Sequence, residues 1–261
     1  MDTFFIKYQP SSLDDYVCND RSRMKYQNII DTNLNQHLLL TGDAGLGKTL
    51  LSKIIVNSIE CDKLIINASD MTSIDDVRNG INKFITTASF HQHDTKVVVL
   101  DEVDYMSQNA QAMLRKLMEE ERVRSRFILI CNFPNKIIPP IHSRCAKIDI
   151  KPPPINLVKD RMIEILKKEK ITFKDKVLNE IINVTYPDFR AVMNLVQLQS
   201  IGSELLELDR SDFISNDTAQ KYYRMLDLLD MIDYDFKYVW KLKEDEKGEL
   251  LNLQKDNGFL L

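Results

Sequence analysis

Two short stretches carry residue types from which phosphate chemistry can be built. Gly42-Asp43-Ala44-Gly45-Leu46-Gly47-Lys48-Thr49 has the spacing Gly-x-x-x-x-Gly-Lys-Thr. In such a loop, glycines let backbone N–H groups turn inward and, with the first turn of a following helix, surround an anion. Lys48 is placed to reach the β- and γ-phosphates of a nucleoside triphosphate and the Thr49 hydroxyl to ligate Mg2+, with Gly42 to Leu50 as the binding segment. Further along comes Val97-Val98-Val99-Leu100-Asp101-Glu102-Val103-Asp104. An apolar strand there would deliver Asp101 to hold the magnesium through water, while Glu102 would orient and polarise an attacking water. A second carboxylate serves hydrolysis; binding alone has no need of it.

These groups meet only if the elements between them fold back repeatedly. Up to about residue 150 short apolar runs alternate with amphipathic stretches: 37–40 then 49–59, 63–67 then 74–89, 97–100 then 109–121, and finally 127–131. Four buried-strand candidates separated by helix-length segments predict βαβ units, an α/β fold whose parallel sheet is flanked by helices. Lys151-Pro152-Pro153-Pro154 then breaks the chain, because proline continues neither a helix nor a sheet ladder. Three helix-period segments follow at 156–170, 175–184 and 188–200, and another at 219–232, where Tyr222, Met225, Leu226, Leu229 and Ile232 recur at helical spacing. The expected division is a P-loop ATPase domain at 1–150, a small helical lid domain at 151–204 and a short helical C-terminal segment at 205–261.

Composition removes several classes. Among 261 residues, 44% are apolar and 28% charged, and no uncharged apolar run approaches the ~20 residues of a membrane span. The N-terminus lacks a basic start followed by a long apolar stretch, so a cytoplasmic protein without membrane association is expected. Cys18, Cys61, Cys131 and Cys145 are far apart with no Cys-x-x-Cys pair, against a zinc site or a disulfide framework. A net charge of −4 would by itself count against nucleic acid. Residues 206–261, however, hold 13 acidic against 8 basic side chains, a net of −5 that leaves +1 for the rest.

Further residues make a specific resemblance. The loop, the Asp-Glu-x-Asp box, Asn132 ending the next strand, Ser143-Arg144-Cys145, and Pro187-Asp188-Phe189-Arg190 in the helical region together resemble the AAA+ ATPases of sliding-clamp loaders, from Lys7 to about Gln197. The stretches from Ala110 to Glu120 and from Asn67 to Asp70 resemble the family too. Thr87-Ala88-Ser89-Phe90 and Pro187-Asp188-Phe189-Arg190 are closer to the ATPase subunit of T-even bacteriophage clamp loaders than to cellular ones. Taken singly, Asn132, Arg144 and Arg190 also read as a strand cap, a surface charge and a helical ion-pair partner; their order carries the resemblance.

The resemblance implies an ATPase with ATP and Mg2+ as ligands and an active site shared between adjacent subunits. Asn132 would position the water near the γ-phosphate, and Arg190 would reach the phosphates from the lid. Arg144 would act in trans on a neighbour's γ-phosphate, where a planar, permanently charged guanidinium suits better than lysine. Tyr8, Pro10 and Val17 would wall the adenine pocket. Implied partners are a sliding clamp, primer-template DNA held through its backbone, and other loader subunits in a pentamer. The DNA candidates are Arg78 and the helix start at Ser107, Gln108 and Asn109; the clamp candidates are Phe84 and Phe90. Gln9 stands where the family usually has Arg, and Asp43-Ala44 replaces its common Pro-Pro. About 55 residues remain where the family's helical collar runs to ~100, so the collar would be reduced or truncated. Rival readings are another AAA+ DNA motor, such as a branch-migration helicase or an initiator loader, and a scaffold that binds nucleotide without hydrolysing it.

Overall fold

The computed structural model describes residues 3–70, 78–87, 95–119 and 125–208. Its main sheet has five parallel strands: β1 (His37–Thr41), β2 (Asp62–Asn67), β3 (Lys96–Asp101), β4 (Ser125–Cys131) and β5 (Cys145–Asp149). They lie in the order β2-β3-β4-β1-β5. Alternation along the central strands feeds two separate cores. Leu38, Leu40, Val97, Val99, Ile128 and Ile130 face the helices Asp20–Asp31 and Lys48–Asn57. Leu39, Val98, Leu100, Phe127, Leu129 and Cys131 face the helices Gln108–Glu119 and Pro139–His142. A strand buried on both faces must be apolar at every position, which is why these runs show no polar alternation.

The expected parallel sheet and flanking helices are present, with a fifth strand that the sequence pattern does not announce. β5 reads Cys-Ala-Lys-Ile-Asp and alternates between half-buried and exposed positions, as an edge strand does. It pairs with β1 from His37↔Cys145 to Thr41↔Asp149. The stretch 74–89 is described only from residue 78, as a π-helical turn at Arg78–Asn82 and a short helix at Lys83–Thr86.

After Pro152–Pro154 the helices Ile155–Lys168, Asp175–Thr185 and Phe189–Gln199 pack around their own core of Met162, Ile165, Leu178, Ile181, Val192 and Val196. Phe4 belongs to this third core, not to the sheet layers. Its amide donates to Gln197 Oε1 (2.7 Å), and the neighbouring Lys7 ammonium reaches Glu169 at 2.6 Å. Residues 4–8 therefore lie on the helical cluster, ahead of the sheet region in the chain. The segment 219–232 lies outside the described residues. No helix among those described is long and apolar enough to cross a membrane.

Candidate functional site

The chemistry-bearing side chains gather at the carboxyl ends of β1, β3 and β4, where open parallel sheets leave a crevice for ligands. β1 ends at Thr41 and the glycine-rich loop turns into the helix at Lys48, with Gly47 as N-cap at φ 81°. Leu51, Ile54 and Ile55 bury that helix against β3 and β4, so its N-terminus is fixed while its first amides stay at the crevice. Lys48 is only 7% exposed, and its ammonium donates to Gly42 O (3.0 Å) and Asp43 O (2.7 Å). Burial pushes its pKa below the ordinary lysine value, and the nearby Asp101 carboxylate opposes that shift. A phosphate oxygen would be a stronger acceptor for this ammonium than the two neutral carbonyls.

Thr49 Oγ1 donates to Asp101 Oδ2 at 2.5 Å, joining the loop directly to the end of β3. A hydroxyl and one carboxylate are too few oxygens for a permanent metal cage, and among the described residues no cluster of three or more His, Cys, Asp or Glu could hold a metal. They do fit Mg2+, which keeps several waters and completes its shell with phosphate oxygens. Next in sequence, Glu102 sits in left-handed backbone geometry at φ 59°, ψ 38°, a conformation costing about 1–2 kcal/mol for a non-glycine residue. Its amide donates to Asp101 Oδ1 (2.9 Å), which holds the Asp101 carboxylate against the turn that follows β3.

Asp104, the third acid of the box, does something sequence spacing does not reveal. It is 5% exposed, and its Oδ2 accepts the amides of Asn132 (3.3 Å) and Phe133 (3.1 Å). Its Oδ1 is buried and has no hydrogen-bond partner. The carboxylate thus pins the backbone from which Asn132 projects. Burial, reinforced by the Asp104 charge, pushes the adjacent Cys131 thiol up to about 12, so that sulfur stays protonated and unreactive.

A cleft of about 390 Å3 joins these groups, within the ~300–1,000 Å3 range of small-ligand sites. Tyr8, Pro10, Val17, the loop from Ala44 to Leu50, Asp101, Glu102, Asn132 and Arg190 all line it. Gly42 and Asp43 sit behind the lining and act through their carbonyls on Lys48. Phe5, Tyr16, Lys53, Pro153, Arg161, Phe189 and Met193 also line the cleft, and no spacing singles them out. Gln9 lines it too, while Arg161 Nη2 donates to Tyr8 O (3.3 Å), so this end of the cleft still carries a guanidinium. Arg190 lies with its guanidinium carbon 4.7 Å from the Phe5 ring centroid.

Arg144 stands apart from this cleft. It pairs with Glu119, and its Nη1 donates to Pro140 O (2.7 Å). The turn that carries it is anchored by Gln111, a side chain 1% exposed, which donates to Met106 O and Lys136 O and accepts from Ile138 N. Ser107, Gln108 and Asn109 are exposed at the start of their helix, where Ser107 Oγ accepts the Ala110 amide (3.2 Å). Phe84 is half-buried against the sheet core with the Lys96 ammonium 5.4 Å from its ring centroid, so packing claims much of this clamp candidate. Phe90 and the side chain of Arg78 lie outside the described residues.

Comparison with known proteins agrees with this geometry. Residues 38–152 match the family model described as "ATPase family associated with various cellular activities (AAA)". A probable replication factor C subunit 5 of Dictyostelium discoideum is 31% identical over 98% of this chain and 74% of its own length. The chain belongs to the replication factor C subunit family. The replication factor C small subunit of Archaeoglobus fulgidus is 36% identical over 78% of this chain and 65% of that protein; one from Sulfolobus acidocaldarius is 36% identical over 74% and 61%. The chain thus spans somewhat under two thirds of these archaeal relatives. Among solved structures, Thermotoga maritima RuvB aligns with a TM-score of 0.64 at 15% identity, over 82% of this chain and 71% of that one. At that identity the likeness is one of fold.

Proposed function

We propose that this chain is an ATP-hydrolysing subunit of a sliding-clamp loader acting in DNA replication. The observation that carries the reading is the convergence of Lys48, Thr49, Asp101, Glu102 and Asn132 on one cleft, while Arg144 stands outside it. The phosphates of ATP would lie along the amides of residues 44–49, drawing Lys48 from the carbonyls of Gly42 and Asp43. Thr49 and Asp101 would hold Mg2+, which supplies charge neutralisation to the phosphates. Glu102 would accept a proton from the attacking water, Asn132 would fix that water beside the γ-phosphate, and Arg190 would leave Phe5 to reach the phosphates. Arg144 would exchange Glu119 for the γ-phosphate bound by an adjacent subunit, completing ATP + H2O → ADP + phosphate. The adenine would sit among Tyr8, Pro10 and Val17.

The 1–150, 151–204 and 205–261 division belongs to the same proposal; the helices after Pro154 do build a core apart from the two sheet cores, which Phe4, Phe5 and Tyr8 from the first segment and Leu205 and Leu208 from the last also join. Primer-template DNA would be met by Arg78 and the helix start at 107–109 through backbone phosphates. Phe84 and Phe90 would face the clamp, and other loader subunits would complete a pentamer. ATP turnover of the assembled protein should rise severalfold when clamp and primer-template are both present. Glu102→Gln should abolish turnover while leaving ATP binding intact. Turnover indifferent to clamp and DNA defeats the loader reading, and a wild-type assembly that binds but never hydrolyses ATP would make the chain a scaffold.

A further inference from the structure

Asp188 caps the helix Phe189–Gln199, its Oδ1 accepting the Ala191 amide at 3.0 Å. The same carboxylate is packed against the phosphate loop. A Cβ placed on Gly45 would stand 1.9 Å from Asp188 Oδ1 and 2.8 Å from Oδ2, and Gly45 adopts φ +77°. Only glycine fits there, so the helix start and the loop touch without any intervening side chain.

Among the described residues no cationic side chain pairs with this carboxylate. Its only side-chain hydrogen bond among the described residues is the one from Ala191. The Lys48 ammonium is engaged with Gly42 O and Asp43 O, and the Arg190 guanidinium lies over Phe5. A negative charge therefore rests on the outside of the loop whose inner amides would receive a polyphosphate. Like charges separated by only a loop's thickness repel through a partly desolvated medium, where screening is weaker than in bulk water.

We propose that Asp188 is an affinity-setting residue of the nucleotide site: its carboxylate opposes the phosphate chain and favours the empty loop. The proposal rests on the nucleotide reading above. Because Asp188 and Arg190 share one helical turn, withdrawing that turn from Gly45 relieves the repulsion while freeing the guanidinium for the phosphates. The opposition acts on the phosphates and not on the base.

Asp188→Asn isolates the charge, since asparagine caps a helix as well as aspartate does. Calorimetric titration of the full chain with ATP, ADP and adenosine separates phosphate from base. The variant should bind ATP and ADP about 3- to 10-fold more tightly than wild type, with adenosine affinity unchanged and the gain shrinking in 1 M salt. Asp188→Ser, a second uncharged cap, should reproduce the gain and serves if the asparagine variant does not fold. Unchanged or weakened ATP affinity in a folded, uncharged variant overturns the proposal, as does an equal gain for adenosine. Wild-type protein that binds ATP no better than adenosine overturns the nucleotide reading and this inference together. Tight wild-type ATP binding with no gain in the variants sinks the inference alone.

Discussion

The phosphate loop and the Arg144 turn carry opposite ends of one proposed reaction, and the protein holds them in opposite ways. Around the loop, polar groups are fixed within the loop, as Lys48 is by Gly42 and Asp43, and across neighbouring strands. Thr49 reaches Asp101 from β1's loop to β3, and Asp104 pins Asn132 from β3 to β4. Arg144, by contrast, has a side chain 34% exposed that among the described residues is tied to Glu119, Ser143 and the Pro140 carbonyl on its own surface. Arg144 is not among the residues that line the cleft. A chain that presents half a site on each of two surfaces is suited to head-to-tail assembly, in which each copy completes its neighbour's site.

Mixing variants tests that asymmetry most severely. Arg144→Ala should leave ATP binding by the isolated chain unchanged while lowering turnover of the assembly by about 10^3- to 10^5-fold, the scale of an arginine finger. Lys48→Ala should remove both binding and turnover. Assemblies formed from both variants together should recover measurable turnover, because an intact loop can then meet an intact arginine. If the mixture stays as inactive as its components, Arg144 does not act across subunits.

Stability should divide the two regions in the same sense. Asp104→Ala leaves the part-buried amides of Asn132 and Phe133 without their acceptor, a loss of about 1–3 kcal/mol. Arg144→Ala removes a half-exposed ion pair and should cost less than about 1 kcal/mol. Urea unfolding of the two variants measures both. Equal losses would mean that the Arg144 turn is as deeply integrated as the loop.

The contrast also explains what could be read from the amino-acid order. The loop, the acidic box and the central strands were legible because each is local: a fixed glycine spacing, or a run apolar at every position because both faces are buried. β5 escaped because Cys145–Asp149 is an edge strand whose half-exposed alternation is too short to stand out. The roles of Asp104, Gln111 and Arg161 escaped for a different reason. Each acts on backbone groups far away in sequence, such as Asp104 on Asn132 and Arg161 on Tyr8, and spacing carries no record of those contacts. The pairing of Glu119 with Arg144 likewise appears only once the turn before β5 has folded back on its helix.

The mildest test lies at the start of β1, far from the loop, where a half-buried histidine titrates. His37, at the end remote from the loop, accepts the Phe127 amide at Nδ1 (3.1 Å), which requires the neutral ring. Burial, helped by the Arg126 charge, brings its pKa from 6.5 down to about 4. Between those values the unfolded chain binds the extra proton and the folded chain does not, so stability is fully present above about pH 6.5 and declines as pH falls toward 4. The loss is at most about 3 kcal/mol, and less because part of the ring remains solvated. Lys48, in the helix beyond the loop that follows β1, is also lowered by burial, but from 10.5, so the penalty it carries is relieved as pH rises from its lowered value toward 10.5. Urea unfolding at pH 7 and pH 5 should therefore show a drop in wild type that is smaller in His37→Gln, whose amide oxygen can still accept from Phe127. An equal drop in both proteins would move the acid-sensitive group away from β1.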